Sequence, residues 1–185
     1  EYGREVLAAG ERANVFQLFE DKPNNFDAWD IDAFYMQKMW ELDGLTERTV
    51  IEQGPLRGGL RLTWRYLDRT TITQTIVLYA ASRRIDFVTE VDWHEHQTLL
   101  KAAFPVAVHN THATAEIQFG NIRRPTYRNT SWERAQFETC GHKWIDLSEG
   151  DYGVALLNDC KYGYDVLENV MRQTLLKGAI SPDPD

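Results

Sequence analysis

Leu60-Arg-Leu-Thr-Trp-Arg-Tyr-Leu67 decides the fold. In an extended chain successive side chains point to opposite faces. Leu60, Leu62, Trp64 and Tyr66 therefore share one face, and Arg61, Thr63 and Arg65 share the other. A helix would scatter these groups around its axis, whereas a half-buried strand sorts them. Further out, Arg84–Trp93 sets Ile85, Phe87, Val91 and Trp93 against Asp86, Glu90 and Asp92, and residues 112–119 alternate through Ala113, Ala115, Ile117 and Phe119. Thr70–Tyr79 is rich in Thr and Ile, and Gln97–His109 is an apolar run interrupted by Pro105. Gln136–Cys140, Lys143–Leu147, Tyr152–Asp159 and Val170–Leu176 complete a series rich in β-branched and aromatic residues, as strands are. Turn chemistry separates them at Gly54-Pro55, Gly58-Gly59, Ser82, Gly120-Asn121 and Glu149-Gly150. The pattern predicts roughly nine to eleven short strands in one all-β domain over residues 1–185. One-sided alternation makes the sheets antiparallel. Ser131–Phe137, with Ser131 as N-cap, is the best helical stretch, so at most one short helix is expected. Residues 21–44 have no clean period and read as a long ordered loop enclosing a short strand or helix.

The 185 residues are 43% hydrophobic and 26% charged, enough to bury a core and too apolar for disorder. Asp and Glu number 28 against 20 Lys and Arg, a net charge of −8. That balance excludes a nucleic acid or an anionic membrane as partner unless a local basic patch exists, and the only basic pairs are short ones such as Arg83-Arg84 and Arg123-Arg124. No apolar run is long enough for a transmembrane helix. Cys140 and Cys160 make neither a disulfide framework nor a zinc ribbon, and read as reduced cysteines of a cytoplasmic protein. The start at Glu1-Tyr-Gly-Arg4 and the Pro/Asp turn after Ile180 read as cut ends of something larger.

His94-Glu95-His96 would present both imidazoles on one face of a strand, as a metal site needs, but no carboxylate follows until Glu116, so no metal is assigned. The 6 Trp, 8 Tyr and 8 Phe are mostly core material for a sandwich. Trp29, flanked by Asp27 and Asp30 in the aperiodic loop, also fits a sugar platform beside fixed hydrogen-bond acceptors. Glycosidases pair two carboxylates at a set distance, and sequence alone does not say which of the many here meet. There is no nucleophile elbow, GxGxxG or P-loop. In Asp151–Asp165, a strand leads through a polar turn at Asn158–Lys161 into Tyr162-Gly-Tyr164; there Gly163 implies positive φ or close backbone approach, and Asp159, Lys161 and Asp165 are candidates for a charge network.

These blocks carry a resemblance. Val15-Phe-Gln-Leu-Phe-Glu-Asp-Lys-Pro23, Phe26-Asp-Ala-Trp-Asp-Ile31, Phe104-Pro105, Glu116-Ile-Gln-Phe-Gly120, Arg124-Pro-Thr126, His142-Lys-Trp144, Asp146-Leu-Ser-Glu149 and Tyr152–Asp165 resemble, in order, the C-terminal β region of family 38 α-mannosidases, in the cytosolic and bacterial branch. Tyr127 stands where that family has His. The resemblance implies an antiparallel β-supersandwich like galactose mutarotase, within a retaining exo-α-mannosidase acting on mannose-terminated glycans or oligosaccharides. It also implies that zinc and the aspartate nucleophile belong to an N-terminal catalytic domain of the same polypeptide, leaving no catalytic residue, metal or cofactor here. In such enzymes the sandwich lends residues to the rim of the sugar pocket. Asp21, Lys22, Asp27, Trp29 and Asp30 are the first candidates for that rim, and Asp159, Lys161 and Tyr162 the second. Alternatives are a free-standing mutarotase or epimerase using His94, Glu95 and Glu116, and a carbohydrate-binding module. A homo-oligomer stays open, because a sandwich without its partner domain exposes apolar surface.

Overall fold

The computed structural model describes residues 3–182, and the readings placed on Glu1, Tyr2 and the last three residues lie outside them. Among the described residues there are fourteen strands: β1 (Val15–Glu20), β2 (Met39–Glu41), β3 (Leu45–Gln53), β4 (Arg57–Tyr66), β5 (Thr70–Tyr79), β6 (Ile85–Asp92), β7 (Thr98–Pro105), β8 (His112–Ile117), β9 (Gly120–Pro125), β10 (Thr139–Cys140), β11 (Trp144–Glu149), β12 (Tyr152–Leu157), β13 (Gly163–Leu167) and β14 (Val170–Lys177). Every pairing is antiparallel. The fold is all-β. The chain divides into two compact units, one of residues up to Glu41 together with those from Gln97 onward, the other Leu42–His96.

The first unit is a sandwich. One sheet runs β10-β13-β14-β7-β1-β2 and the other β12-β11-β8-β9. Val106, Val108, Ala113, Ala115, Ile145, Leu147, Tyr164 and Met171 form the core between them. The outer face of the six-stranded sheet is covered too: Tyr35, Ile31 and Met36 from the loop before β2, and Phe137 from the segment before β10, pack on Phe19 and Leu99. Strand β7 is thus buried on both faces, which is why 97–109 reads as a run and not an alternation.

The second unit is a four-stranded meander, β3-β4-β5-β6. Its register pairs Leu60 with Ile76, Trp64 with Ile72 and Ile76 with Phe87 on one face, and Arg61 with Thr75 and Thr73 with Glu90 on the other. This is the sorting the alternation predicts.

Besides β7, three strands escape the alternation rule for physical reasons. β1 is buried on both faces, while β3 and β9 are edge strands exposed along nearly their whole length. The break read at Gly120-Asn121 is the start of β9; the turn is Gln118-Phe119, with Phe119 at φ 61°. The helix α1 (Ser131–Arg134) is capped one residue earlier than expected, because Thr130 accepts from the Glu133 amide while the Glu133 side chain returns to the Thr130 amide. A 3₁₀ turn at Tyr35–Gln37 and the short β2 fill the aperiodic stretch.

Candidate functional site

The loop after β1 folds back on the end of β14. The Asp21 amide donates to Gln97 O at 2.8 Å, and its carboxyl is turned inside with 1% exposure. Lys177 Nζ lies 2.9 Å from Asp21 Oδ2, close enough for an ion pair, while Oδ1 has no hydrogen-bond partner in the protein. Burial raises the Asp21 pKa above the ordinary aspartate range; Lys177 opposes this, and Asp27 and Asp32 add to it. Lys177 Nζ also donates to Asp30 O, and Asp27 Oδ2 accepts from the Ile180 amide at 2.6 Å. Asp27 Oδ1 is buried and unpaired. These anchors fix a turn in which the Trp29 and Asp30 amides both donate to Phe26 O at 2.8 Å. On that turn Trp29 is 74% exposed and Phe26 70% exposed. Lys22 points back to Glu20 at 2.8 Å, and with Lys38 it lowers the Glu20 pKa to about 2.

Of the five loop candidates, then, Trp29, Asp30 and Lys22 face outward, Asp27 is half-buried and Asp21 is internal. A rigid loop presenting one bare indole beside carboxylates can stack on an apolar sugar face and accept from its hydroxyls.

The second candidate group lies in the turn after β12. Asn158 holds that turn, its amide donating to Lys143 O at 2.9 Å, its Nδ2 to His142 O at 2.8 Å, and its Oδ1 accepting from the Lys161 amide. The Tyr162 ring lies tilted against His142, 5.4 Å between centroids, and Asp159, Lys161 and Tyr162 are all exposed. Both groups are tied to β14, where Gln173 Nε2 donates to Lys161 O and Lys177 holds the first loop.

Asp165 does not join Asp159 and Lys161. It is buried in β13, its Oδ2 accepting from Lys101 Nζ at 2.7 Å and its Oδ1 from Arg172 at 2.9 Å. Lys101, wholly buried on the outer face of the six-stranded sheet, also donates to the Tyr35 hydroxyl at 3.0 Å and pairs with Glu138. Arg172 Nε continues to Gln17 at 2.8 Å. Two cations balance two carboxylates, so the cluster is neutral. Burial pushes the Glu138 pKa up against the pull of Lys101, and burial would lower the Lys101 pKa but Asp165 and Glu138 carry it upward instead. Gly163 serves this cluster. Its φ is not positive; a Cβ there would lie 2.8 Å from Glu138 Oε1, so close approach is the reason for glycine. The sequence reading missed this cluster, although the lone charge in Thr98-Leu-Leu-Lys-Ala-Ala-Phe104 was its signal.

Of the histidine motif, His94 and His96 are exposed and Glu95 is buried between them, accepting from Arg69 Nε at 3.1 Å and Thr70 Oγ1 at 2.8 Å. His94 Nε2 lies 2.9 Å from Asp92. Glu116 accepts from the Lys143 amide at 2.7 Å. Neither carboxylate is placed as a free base. Among the described residues no group of three or more His, Cys, Asp or Glu could hold a metal ion, so a zinc ion does not fit these residues.

The sequence profile described as "Glycosyl hydrolases family 38 C-terminal domain" matches residues 1–185. The chain is 41% identical over 182 residues to Alpha-mannosidase 2C1 of Mus musculus, covering 98% of this chain and 18% of that protein. It is 42% identical over 186 residues to Alpha-mannosidase G of Dictyostelium discoideum, covering 97% of this chain and 17% of that protein. Among solved structures it resembles an alpha-mannosidase from Enterococcus faecalis V583 with a TM-score of 0.76, over 90% of this chain and 22% of that one, at 15% identity, a likeness of fold. The chain therefore spans less than a fifth of the length of those two curated relatives.

Proposed function

The chain belongs to glycosyl hydrolase family 38, as its C-terminal domain, and from that premise we propose that it serves a retaining exo-α-mannosidase that removes terminal α-mannose from glycans or oligosaccharides. The observation that carries this reading is a family match along the whole chain, joined to relatives named α-mannosidases of which the chain spans 17–18%. The nucleophile and a zinc ion are assigned to a catalytic domain upstream in the same polypeptide. The residues here do the positioning. Trp29 stacks on the sugar and Asp30 accepts from its hydroxyls, while Asp27, holding the Ile180 amide, and Lys177, holding Asp21 and the Asp30 carbonyl, keep that rim loop in place. Lys22 and the turn bearing Asp159, Lys161 and Tyr162 extend the same rim. A cytoplasmic location is part of the proposal, supported by two exposed, unpaired cysteines, which persist in a reducing compartment. No helix among the described residues is long and apolar enough to cross a membrane.

The test is hydrolysis of an aryl α-mannoside by the full polypeptide carrying these residues, with zinc supplied. Trp29→Ala is expected to lower kcat/KM about tenfold, the worth of one aromatic contact, without changing the unfolding midpoint. Unchanged kcat/KM in Trp29→Ala, Asp27→Ala and Asp30→Ala, each with wild-type stability, would remove the rim role. An inactive parent would remove the mannosidase reading itself.

A further inference from the structure

The polar face of the second unit carries a groove where the turn before β4 meets the turn after β5. Its volume is about 470 Å³, within the range of about 300–1,000 Å³ that small-molecule sites occupy. The cavity beside Arg124 in the first unit, of about 20 Å³, has room for little more than a water. Leu56, Tyr79, Ala80 and Ala81 give the groove apolar walls, and Ser82, Arg84 and Asp86 give it polar groups. The register explains the grouping: Arg57 lies beside Tyr79 and Val77 beside Asp86, so these side chains share one face. Backbone bonds fix the two turns, Gly54 N donating to Arg57 O at 2.9 Å and Ala80 N to Leu56 O at 3.0 Å.

The polar groups are held before any ligand arrives. The Tyr79 hydroxyl donates to Asp86 Oδ2 at 2.9 Å, Arg84 Nε donates to Oδ1 of the same carboxylate, and Ser82 Oγ accepts from the Arg84 amide at 3.1 Å. Arg84 foremost, with Tyr79, lowers the Asp86 pKa against the effect of burial, so the acceptor stays ionised at neutral pH. Each Asp86 oxygen has a second lone pair, and the side chain keeps 19% exposure while Arg84 keeps 72%. On the same face Arg57 pairs with Glu52 at 2.7 Å. Every cation here has its carboxylate, so the groove favours neither an anion nor a cation. A wholly apolar ligand is excluded as well, because it would strip water from Arg84 and Asp86 without replacing it. What fits is a neutral ring with one apolar face for Leu56 and Tyr79 and with adjacent hydroxyls, one donating to Asp86 and one accepting from Arg84. We propose that this groove binds a neutral saccharide, and that its occupant is a mannose residue of an oligosaccharide. The choice of mannose rests on the reading of this chain as a domain of a mannosidase; the choice of a neutral sugar rests on the groove.

The experiment irradiates the full polypeptide with a diazirine-bearing mannotriose whose sulfur linkages resist hydrolysis, and maps the labelled peptides by mass spectrometry. The expected label lies on residues 54–57 and 79–86 and is competed by the same trisaccharide without diazirine. Asp86→Ala is expected to lower it about tenfold, the worth of a hydrogen bond to a charged group. Leu56→Ala should lower it about threefold through lost apolar contact, and because Leu56 is 79% exposed that change leaves the fold alone. No label on these peptides, label unchanged in both variants, or equal label from a trigalacturonate bearing the same diazirine would each overturn the proposal. Equal label from a cellotriose probe would overturn the choice of mannose. Hydrolysis of the aryl α-mannoside is measured alongside: its absence would defeat the mannosidase reading, while competed label in the groove would still establish the saccharide site.

Discussion

Each unit buries a charge, Lys101 within strand β7 and Glu95 in the segment that follows β6, and they do it differently. In the first unit Lys101 is enclosed on every side, with Asp165, Glu138 and Tyr35 as its partners and Arg172 completing the neutral cluster. In the second, Glu95 is buried but its partner Arg69 is 54% exposed, so the pair opens to solvent. A strand covered on both faces must neutralise a charge from within, whereas a segment at the edge of its unit can leave the counter-charge in water.

The comparison breaks first at Lys101. Lys101→Met leaves two buried carboxylates short of a partner and is expected to cost about 3–5 kcal/mol of stability, read as a shift of the urea midpoint. Adding Glu138→Gln should recover part of that loss, since one stranded charge is removed. A loss below about 1 kcal/mol would mean that the cluster is wet. Glu95→Gln should cost less, about 1–2 kcal/mol, because Arg69 falls back to solvent and the Thr70 hydroxyl keeps an acceptor.

The two units also answer acid in opposite ways. Burial works to raise the Glu95 pKa, but Arg69 and Thr70 overcome it and the net shift is downward. The stability Glu95 contributes is therefore present above the ordinary glutamate range and lost as pH falls through its lowered pKa. Asp21 is raised, chiefly by burial, so the native state holds its proton to higher pH than the unfolded chain does. Its ionisation costs stability as pH climbs from the ordinary aspartate range through the raised value. Asp21→Asn removes that slope. Relative to wild type, the variant should gain stability with rising pH across this window, measured by urea unfolding at a series of pH values; a difference independent of pH would show that Lys177 fully compensates the burial.

What the sequence disclosed follows the same division. β4 and β6 have one wet face, and their alternation assigned the inward set Leu60, Trp64 and Phe87 correctly. β1 and β7 are buried on both faces, so period two vanished and Lys101 passed unnoticed within an apolar run. β3 and β9, at sheet edges, are exposed along most of their length and vanished for the opposite reason. The loop of Trp29 was legible as a candidate because an aperiodic stretch with an aromatic between carboxylates stands out. That Asp21 points inward was not legible, since its burial depends on Lys177, 156 residues away.

The smallest expected effect lies in the hairpin turns. Between β4 and β5 both Leu67 and Asp68 take positive φ, and between β8 and β9 Phe119 does, at 61°. An L-residue with a large side chain is strained there, whereas glycine is not. Phe119 is fully exposed, so its ring has nothing within this chain to offset that strain. Phe119→Gly also loosens the unfolded chain, which acts against the mutation, and the net gain is expected to be about 0.5–1 kcal/mol. For a chain of this size that is a rise of about 1–4 °C in the melting temperature. Leu67→Asn tests the other turn, where a residue tolerant of positive φ replaces an exposed leucine, and a rise of the same sign but smaller is expected. A fall in either variant would mean that the exposed side chain rests on something the 185 residues do not contain.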